Sequence, residues 1–134
     1  MSETTRLKSL RIALAAFGAM FIVGLPLFMF VVWPSGWSWH TGHSHYPLMI
    51  VGVYATLGVF LLMAARNPAA HGSLIQFTAW SSIVHGLIMA FQSFDGTGNT
   101  GHLVGDVPAL LVIGIVLLAL APRGEVAALR QRSA

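Results

Sequence analysis

Four long apolar segments, separated by short polar ones, make up most of the chain and limit the folds open to it. They cover residues 12–33, 47–65, 73–94 and 101–121. A helix needs about 20 residues to cross roughly 30 Å of hydrocarbon. Only 8% of the residues are charged, against about 25% in soluble domains. The sequence therefore predicts an all-α membrane protein, a four-transmembrane-helix bundle forming a single domain over residues 1–134.

The start of the fourth span depends on where two polar residues are placed. Its uninterrupted apolar body, residues 107–121, would make only about 22 Å of helix. A span as long as the others must begin near Gly101 and carry His102 and Asp106 into the membrane, on one helix face. The alternative is a shorter helix with Asp106 as its N-cap and Pro108 in its first turn, which leaves His102 in a loop.

The positive charges predict how the bundle is oriented. By the positive-inside rule, the side that carries them is the cytoplasm. We therefore expect both termini inside, two outer loops and one short inner loop, in a multi-pass protein of a bacterial inner (plasma) membrane. These topology anchors also account for the pI of about 10.2, so no nucleic-acid partner is implied. All seven Lys and Arg residues lie on that one side: Arg6, Lys8, Arg11, Arg66, Arg123, Arg130 and Arg132.

Three further features bear on packing and chemistry. The chain has no cysteine, which excludes disulfides, thiolate metal sites and CxxC redox centres. Pro26 and Pro108 are expected to bend their helices. Small residues predict where helices approach closely, and these are Ala15, Ala19, Gly52, Thr56 and Gly114.

The third span carries a polar face that we expect to point into the bundle. Thr78, Ser82, His85, Met89 and Gln92 are spaced four, three, four and three apart, and therefore share one side of a helix. His85 lies about 13 Å from the outer end by helical rise. An ionisable residue at such depth is costly and is by default functional. The alternative is a neutral imidazole hydrogen-bonded to a serine or a backbone carbonyl.

A histidine-rich outer loop precedes the second span. The stretch WSWHTGHSHYP, residues 37–47, places His40, His43 and His45 in the spacing H-x-x-H-x-H. Imidazoles suit zinc, copper and iron, but three histidines on a glycine-containing loop need not converge. We expect the loop to cover the outer end of the bundle, with His45 as the member that reaches inside. The aromatic residues here are typical of an interfacial belt: Trp33, Trp37, Trp39 and Tyr46.

Together these residues predict an outward-facing polar pocket. Three imidazoles and a carboxylate suit a transition metal such as Zn, Cu or Fe, and the carboxylate can orient a histidine or take part in a proton relay. Haem is a less favoured variant, with His85 as one axial ligand and His45 or His102 as the other. Because a four-helix dihaem cytochrome needs histidine pairs at two depths and this chain has one deep histidine, at most one haem is expected. The predicted metal ligands are His45, His85, His102 and Asp106, and the predicted cofactor-binding residues are His85, Tyr54 and Gln92.

Three stretches between residues 46 and 121 resemble an uncharacterised family of small four-helix bacterial membrane proteins. They are GVYATLGVFLLMAARNP, SSIVHGLIMA and HLVGDVPALL. The resemblance implies the four-helix fold. It implies no activity, cofactor or residue role.

Three functions remain open. The first is a protein that binds a transition metal or metal cofactor in the outward-facing pocket, with catalytic or redox activity as an option. The second is a non-catalytic accessory or assembly subunit of a larger membrane complex, in which His85 and Asp106 form a structural contact worth about 1 kcal/mol per interhelical hydrogen bond. The third is a small transporter. The expected partners are the lipid bilayer and, under the second function, other membrane subunits or further copies of the chain.

Overall fold

Four apolar helical segments build the protein. The computed structural model describes residues 1–37, 45–94 and 100–122, and no strand occurs in these ranges. The four segments are each long and apolar enough to cross a membrane, which confirms the predicted fold class. We call them spans one to four: Glu3–Val32, Tyr46–Arg66, Pro68–Gln92 and Thr100–Leu120.

Spans two to four are largely regular α-helices, and spans three and four each begin with a short 3-10 turn. Span two is α-helical throughout, and Pro108 lies in the first turn of the last helix, where a proline needs no amide hydrogen. A further 3-10 turn, Pro34–Trp37, follows span one. The bounds are Tyr46–Arg66 for span two, Pro68–His71 and Gly72–Gln92 for span three, and Thr100–Leu103 and Asp106–Leu120 for span four.

Span one changes its helix type midway. Pro26 lies in a short α-helical piece with a π-helical segment on either side. Proline lacks an amide hydrogen, and its ring clashes with the carbonyl four residues back. The wider π geometry accommodates both defects, and π segments of this kind frequently occur at functional sites. In chain order, span one consists of the α-helix Glu3–Ala19, the π-helix Met20–Gly24, the α-helical piece Leu25–Leu27 and the π-helix Phe28–Val32.

Glycines bring the backbones of neighbouring spans into contact. A Cβ atom on Gly58 would lie 2.7 Å from the carbonyl oxygen of Gly18, and one on Gly18 would lie 2.8 Å from the carbonyl oxygen of Gly58. A Cβ atom on Gly114 would lie 2.7 Å from the carbonyl oxygen of Ala79, which confirms Gly114 as a packing residue. No atom lies within 4 Å of a Cβ built on Gly52, so the prediction that Gly52 makes a close contact was wrong.

The spans pack mainly as two pairs. Span one packs on span two and span three on span four, and spans one and four join the pairs. Spans two and three are connected by only a short segment, yet they make few contacts with each other. The short inner loop therefore joins two spans that pack only loosely on each other. The main core draws on all four spans and includes Leu10, Leu14, Phe21, Leu61, Ala64, Ile75, Ala79, Ile113 and Leu117.

A buried arginine ties the beginning of the bundle to its end. Arg6 donates from Nε to the carbonyl oxygen of Leu120 at 3.3 Å and from Nη2 to that of Ala121 at 2.5 Å. Carbonyl groups at a helix C-terminus lack intrahelical donors, and a cation there also interacts favourably with the helix dipole. The start of span one and the end of span four thus lie at the same end of the bundle. We call this the inner end, after the predicted orientation, and the opposite one the outer end.

Candidate functional site

A cavity of about 330 Å³ lies between the four spans, in the outer half of each. Most of its wall is apolar, and three of its residues carry polar side chains: Tyr54, His85 and Asp106. The π-helix Met20–Gly24 contributes to the wall, so the irregular part of span one belongs to the cavity. The apolar lining comprises Met20, Phe21, Gly24, Leu25, Phe28, Ile50, Met89, Gly105, Ala109, Leu110 and Ile113.

A hydrogen bond between Tyr54 and His85 crosses from span two to span three. The phenol oxygen lies 2.5 Å from Nδ1 of the imidazole. With a neutral imidazole the phenol O–H donates to Nδ1, and Nε2–H remains as a second donor; in the other tautomer Nδ1–H donates to the phenol oxygen. The ring of Tyr54 is also held by Phe21, edge to face at a centroid distance of 4.9 Å. The partner of His85 is thus a phenol, where the sequence alternatives named a serine or a carbonyl.

His102 and Asp106 form a second polar pair at the outer end of span four. His102 is completely buried, and its Nδ1 lies 3.0 and 2.9 Å from the two carboxylate oxygens of Asp106, to which Nδ1–H donates. His102 lies on the 3-10 turn Thr100–Leu103, whereas Asp106 is the first residue of the following α-helix. The pair predicted for a long span is therefore present, but across a break in the helix. Gly105, and not Asp106, is the N-cap.

Trp33 covers this second pair. Its ring lies 4.9 Å from the imidazole of His102, at an interplanar angle of 45°, and 6.0 Å from the ring of Phe28. A Cβ atom on Gly101 would lie 2.7 Å from the indole ring, so this approach requires a glycine. The sequence indicated only an interfacial role for Trp33. Its contact with His102 joins the outer end of span one to that of span four and could not be read from spacing.

The predicted metal ligands are only partly brought together. His85 and Asp106 line the same cavity. His102 adjoins Asp106, whereas His45 is exposed at the start of span two. Within residues 1–37, 45–94 and 100–122, no group of three or more His, Cys, Asp or Glu side chains is placed to hold a metal ion.

The remaining predicted residues are distributed around the cavity or away from it. Of the predicted cofactor-binding residues, Tyr54 and His85 line the cavity, whereas Gln92 is exposed at the end of span three. His40 and His43 lie outside the described residues. Aromatic wall residues such as Phe21 and Phe28 were missed, because nothing in an apolar span marks which side chains face a cavity.

The fold and the cavity define a four-span membrane protein with a partly open, mainly apolar cavity and a small set of polar groups. The model of a family described as "Family of unknown function (DUF6632)" matches residues 4–133. The chain belongs to this family, which confirms the predicted membership of an uncharacterised family of small four-helix proteins. No curated protein and no solved structure matches the chain.

Proposed function

We propose that the protein binds a small, mainly apolar molecule inside the membrane, in the cavity between its four spans. The observation that carries this proposal is the cavity itself, about 330 Å³ in volume and lined by all four spans. Small-molecule sites typically measure about 300–1,000 Å³ and combine apolar walls with a few polar groups that orient the ligand. Tyr54, His85 and Asp106 are such groups here.

The polar residues favour a binding site over a purely structural contact. Ionisable side chains within a membrane span are costly, and they usually mark a function. Protein interiors are otherwise densely packed. A bundle that used His85 and Asp106 only to hold helices together would be expected to fill the space beside them, and here that space is a cavity.

The packing of the spans also supports access from the bilayer. Spans two and three make few contacts with each other, and the cavity is lined from span two by Ile50 and Tyr54 and from span three by His85 and Met89. A lipid-soluble molecule would enter between these helices without crossing the core of the bundle. The hydrogen bond between Tyr54 and His85 lies on this route.

Filling the cavity tests the proposal. Ala109 and Ala119 are both exposed positions on the same helix, but only Ala109 lines the cavity. The wild type, Ala109→Phe and Ala119→Phe are purified from cell membranes, and the molecules extracted from each are compared by mass spectrometry. We expect a lipophilic molecule enriched with the wild type and Ala119→Phe but lost from Ala109→Phe. The same bulk lipids in the same ratio from all three would contradict the proposal.

A bound transition metal is a second candidate function, favoured by one observation. The carboxylate of Asp106 accepts a hydrogen bond from Nδ1–H of His102, and this arrangement is typical of histidines that bind a metal through Nε2. The ligands would come from His102, His85 and Asp106, with His45 as the fourth predicted member. Zinc, copper and iron are the candidate ions, and haem is a further option with His85 as an axial ligand.

Elemental and optical analysis of the purified protein tests this second candidate. A stoichiometric metal or a Soret band that is lost in His85→Ala and Asp106→Ala would support it. His71→Ala is the matched control, because His71 lies at the opposite end of the bundle, in the turn Pro68–His71. Wild-type protein that takes up no zinc, copper, iron or haem would exclude it.

A further inference from the structure

We propose that the ligand of the cavity is a lipophilic organic cation, with one positively charged nitrogen on a compact apolar or aromatic body. This inference rests on the proposed function and names the chemical class of the ligand. It follows from the charge of the wall, the rings in the wall and the distribution of basic residues along the chain.

The wall of the cavity carries one acidic side chain and no lysine or arginine among its described residues. That acidic side chain is Asp106, which is 12% exposed and is paired with His102. Nδ1 of His102 supplies one N–H to the carboxylate, which accepts up to about four hydrogen bonds. That N–H supplies a donor but, from a neutral imidazole, no positive charge. A ligand cation in the cavity would supply the counter-charge that a carboxylate within a membrane span favours.

Aromatic rings line the same cavity. Phe21, Phe28 and Tyr54 belong to its wall, and Phe21 and Tyr54 pack edge to face. The face of an aromatic ring attracts a cation within about 6 Å of its centre. Met20 and Met89 complete the wall with polarizable side chains that adapt to an apolar body. A neutral ligand with a carbonyl group would use the imidazole of His85 but would bring no charge complementary to the carboxylate of Asp106.

The absence of basic residues at the outer end of the bundle also favours a cation as the ligand. All seven Lys and Arg residues lie before span one, between spans two and three, or after span four. The segments that connect the spans at the outer end, residues 33–45 and 93–99, contain no lysine or arginine. Because charges of one sign exclude a ligand of that sign, a cation meets no such barrier at the end of the bundle where the cavity lies.

Two isosteric probes test the class of ligand directly. Benzyltrimethylammonium and neopentylbenzene have the same shape and differ in the charge on one atom. Binding of each to the protein in lipid nanodiscs is measured by equilibrium dialysis, with empty nanodiscs used to subtract partitioning into the bilayer. We expect the wild type to bind the ammonium compound at least about tenfold more tightly than the hydrocarbon. Ala109→Phe should abolish saturable binding of both probes, because it fills the cavity.

Charge variants identify the residue responsible. Asp106→Asn should remove the preference for the cation, whereas Asp106→Glu should keep it. Glu3→Gln is the matched control, because Glu3 is an exposed carboxylate at the inner end and its loss should change nothing. If Asp106→Asn does not fold, as judged by circular dichroism, the relative affinity of the wild type for the ammonium compound and the hydrocarbon tests by itself whether the ligand is a cation.

Two outcomes would overturn the inference, and they differ in what they leave standing. Binding of neopentylbenzene, or of the neutral carbonyl compound duroquinone, as tight as that of the ammonium probe and lost in Ala109→Phe would exclude a cation and leave the proposed binding function intact. Failure of all three probes to bind the wild type saturably, together with no copurified lipophilic molecule, would overturn both.

Discussion

The phenol oxygen of Tyr54 lies 2.5 Å from Nδ1 of His85 and links two spans that follow each other in the chain but make few contacts. Water that could replace a lost partner is scarce inside a bilayer. The hydrogen bond therefore holds spans two and three together beside the cavity, on the route by which a ligand from the bilayer would enter.

Removing this hydrogen bond should weaken the bundle by a modest amount. Tyr54→Phe is expected to lower the free energy of unfolding by about 1 kcal/mol, since interhelical hydrogen bonds in membranes contribute about 0.6 kcal/mol on average and about 1.7 at most. Unfolding in mixed detergent micelles, followed by circular dichroism, measures the effect. In a double-mutant cycle Tyr54→Phe should couple with His85→Ala but not with the distant His71→Ala. Equal coupling in the two cycles would show that the contact between Tyr54 and His85 contributes nothing specific.

The contact between spans one and two should tolerate no added carbon. Gly58→Ala would place a Cβ atom 2.7 Å from the carbonyl oxygen of Gly18, and overpacking of this kind typically costs about 1–3 kcal/mol. Gly52→Ala, on the same helix, has open space around its Cβ and should be neutral or slightly stabilising, because alanine is the better helix former. Thermal unfolding of the two variants beside the wild type makes the comparison. A Gly52→Ala protein as unstable as Gly58→Ala would mean that the close approach of spans one and two is not the cause.

Arg6 should contribute far more to stability than the neighbouring basic residues. Arg6→Met removes both donors to the carbonyl groups of Leu120 and Ala121, and hydrogen bonds from charged groups contribute about 1.5–3 kcal/mol. Arg11→Met removes the same charge from an exposed position and should leave the unfolding temperature nearly unchanged. The unfolding midpoints of the two variants, with Arg6→Lys as an intermediate case, provide the test. A similar fall in the unfolding midpoint of Arg6→Met and Arg11→Met would mean that the positive charge acts through the membrane orientation of the chain and not through the carbonyl groups of Leu120 and Ala121.

Cysteine labelling tests the predicted orientation, and the absence of cysteine from the natural chain makes single-cysteine variants straightforward. Thr100→Cys lies at the outer end and should react with a membrane-impermeant maleimide in intact spheroplasts. Ser2→Cys and Ala69→Cys lie at the inner end and should react only after the membrane is permeabilised. The reverse pattern would place both termini outside and contradict the positive-inside assignment.

Much of the fold could be predicted, but the rotation of each helix about its axis could not. The four spans were predicted to within a few residues at most ends, and the pairing of His102 with Asp106 followed from the length that a fourth span needs. The sequence predicted that Gly52 of span two makes the close contact with a neighbouring helix, whereas in the structure Gly58 makes it, against Gly18 of span one. Lipid is as apolar as a leucine side chain, so the pattern of apolar residues does not tell which face of a membrane helix meets its neighbour.

The cavity was only partly accessible to sequence reasoning for the same physical reason. The depth of His85 and the presence of Asp106 marked it as a polar site, because ionisable residues are rare in spans. The π-helical segments beside Pro26, the aromatic wall and the cover provided by Trp33 depend on contacts between residues far apart in the chain. No local pattern encodes those contacts.

By itself the sequence determined that the chain has four helical segments long and apolar enough to cross a membrane, and which ionisable residues lie within them, because hydrocarbon demands long runs of apolar helix and penalises charge. Only the tertiary structure decided that Tyr54 meets His85, that Asp106 holds His102, and that a space is left between them and the aromatic side chains of span one. Those relationships are set by the close approach of backbones at a few glycines and by the hydrogen bonds that lipid cannot replace.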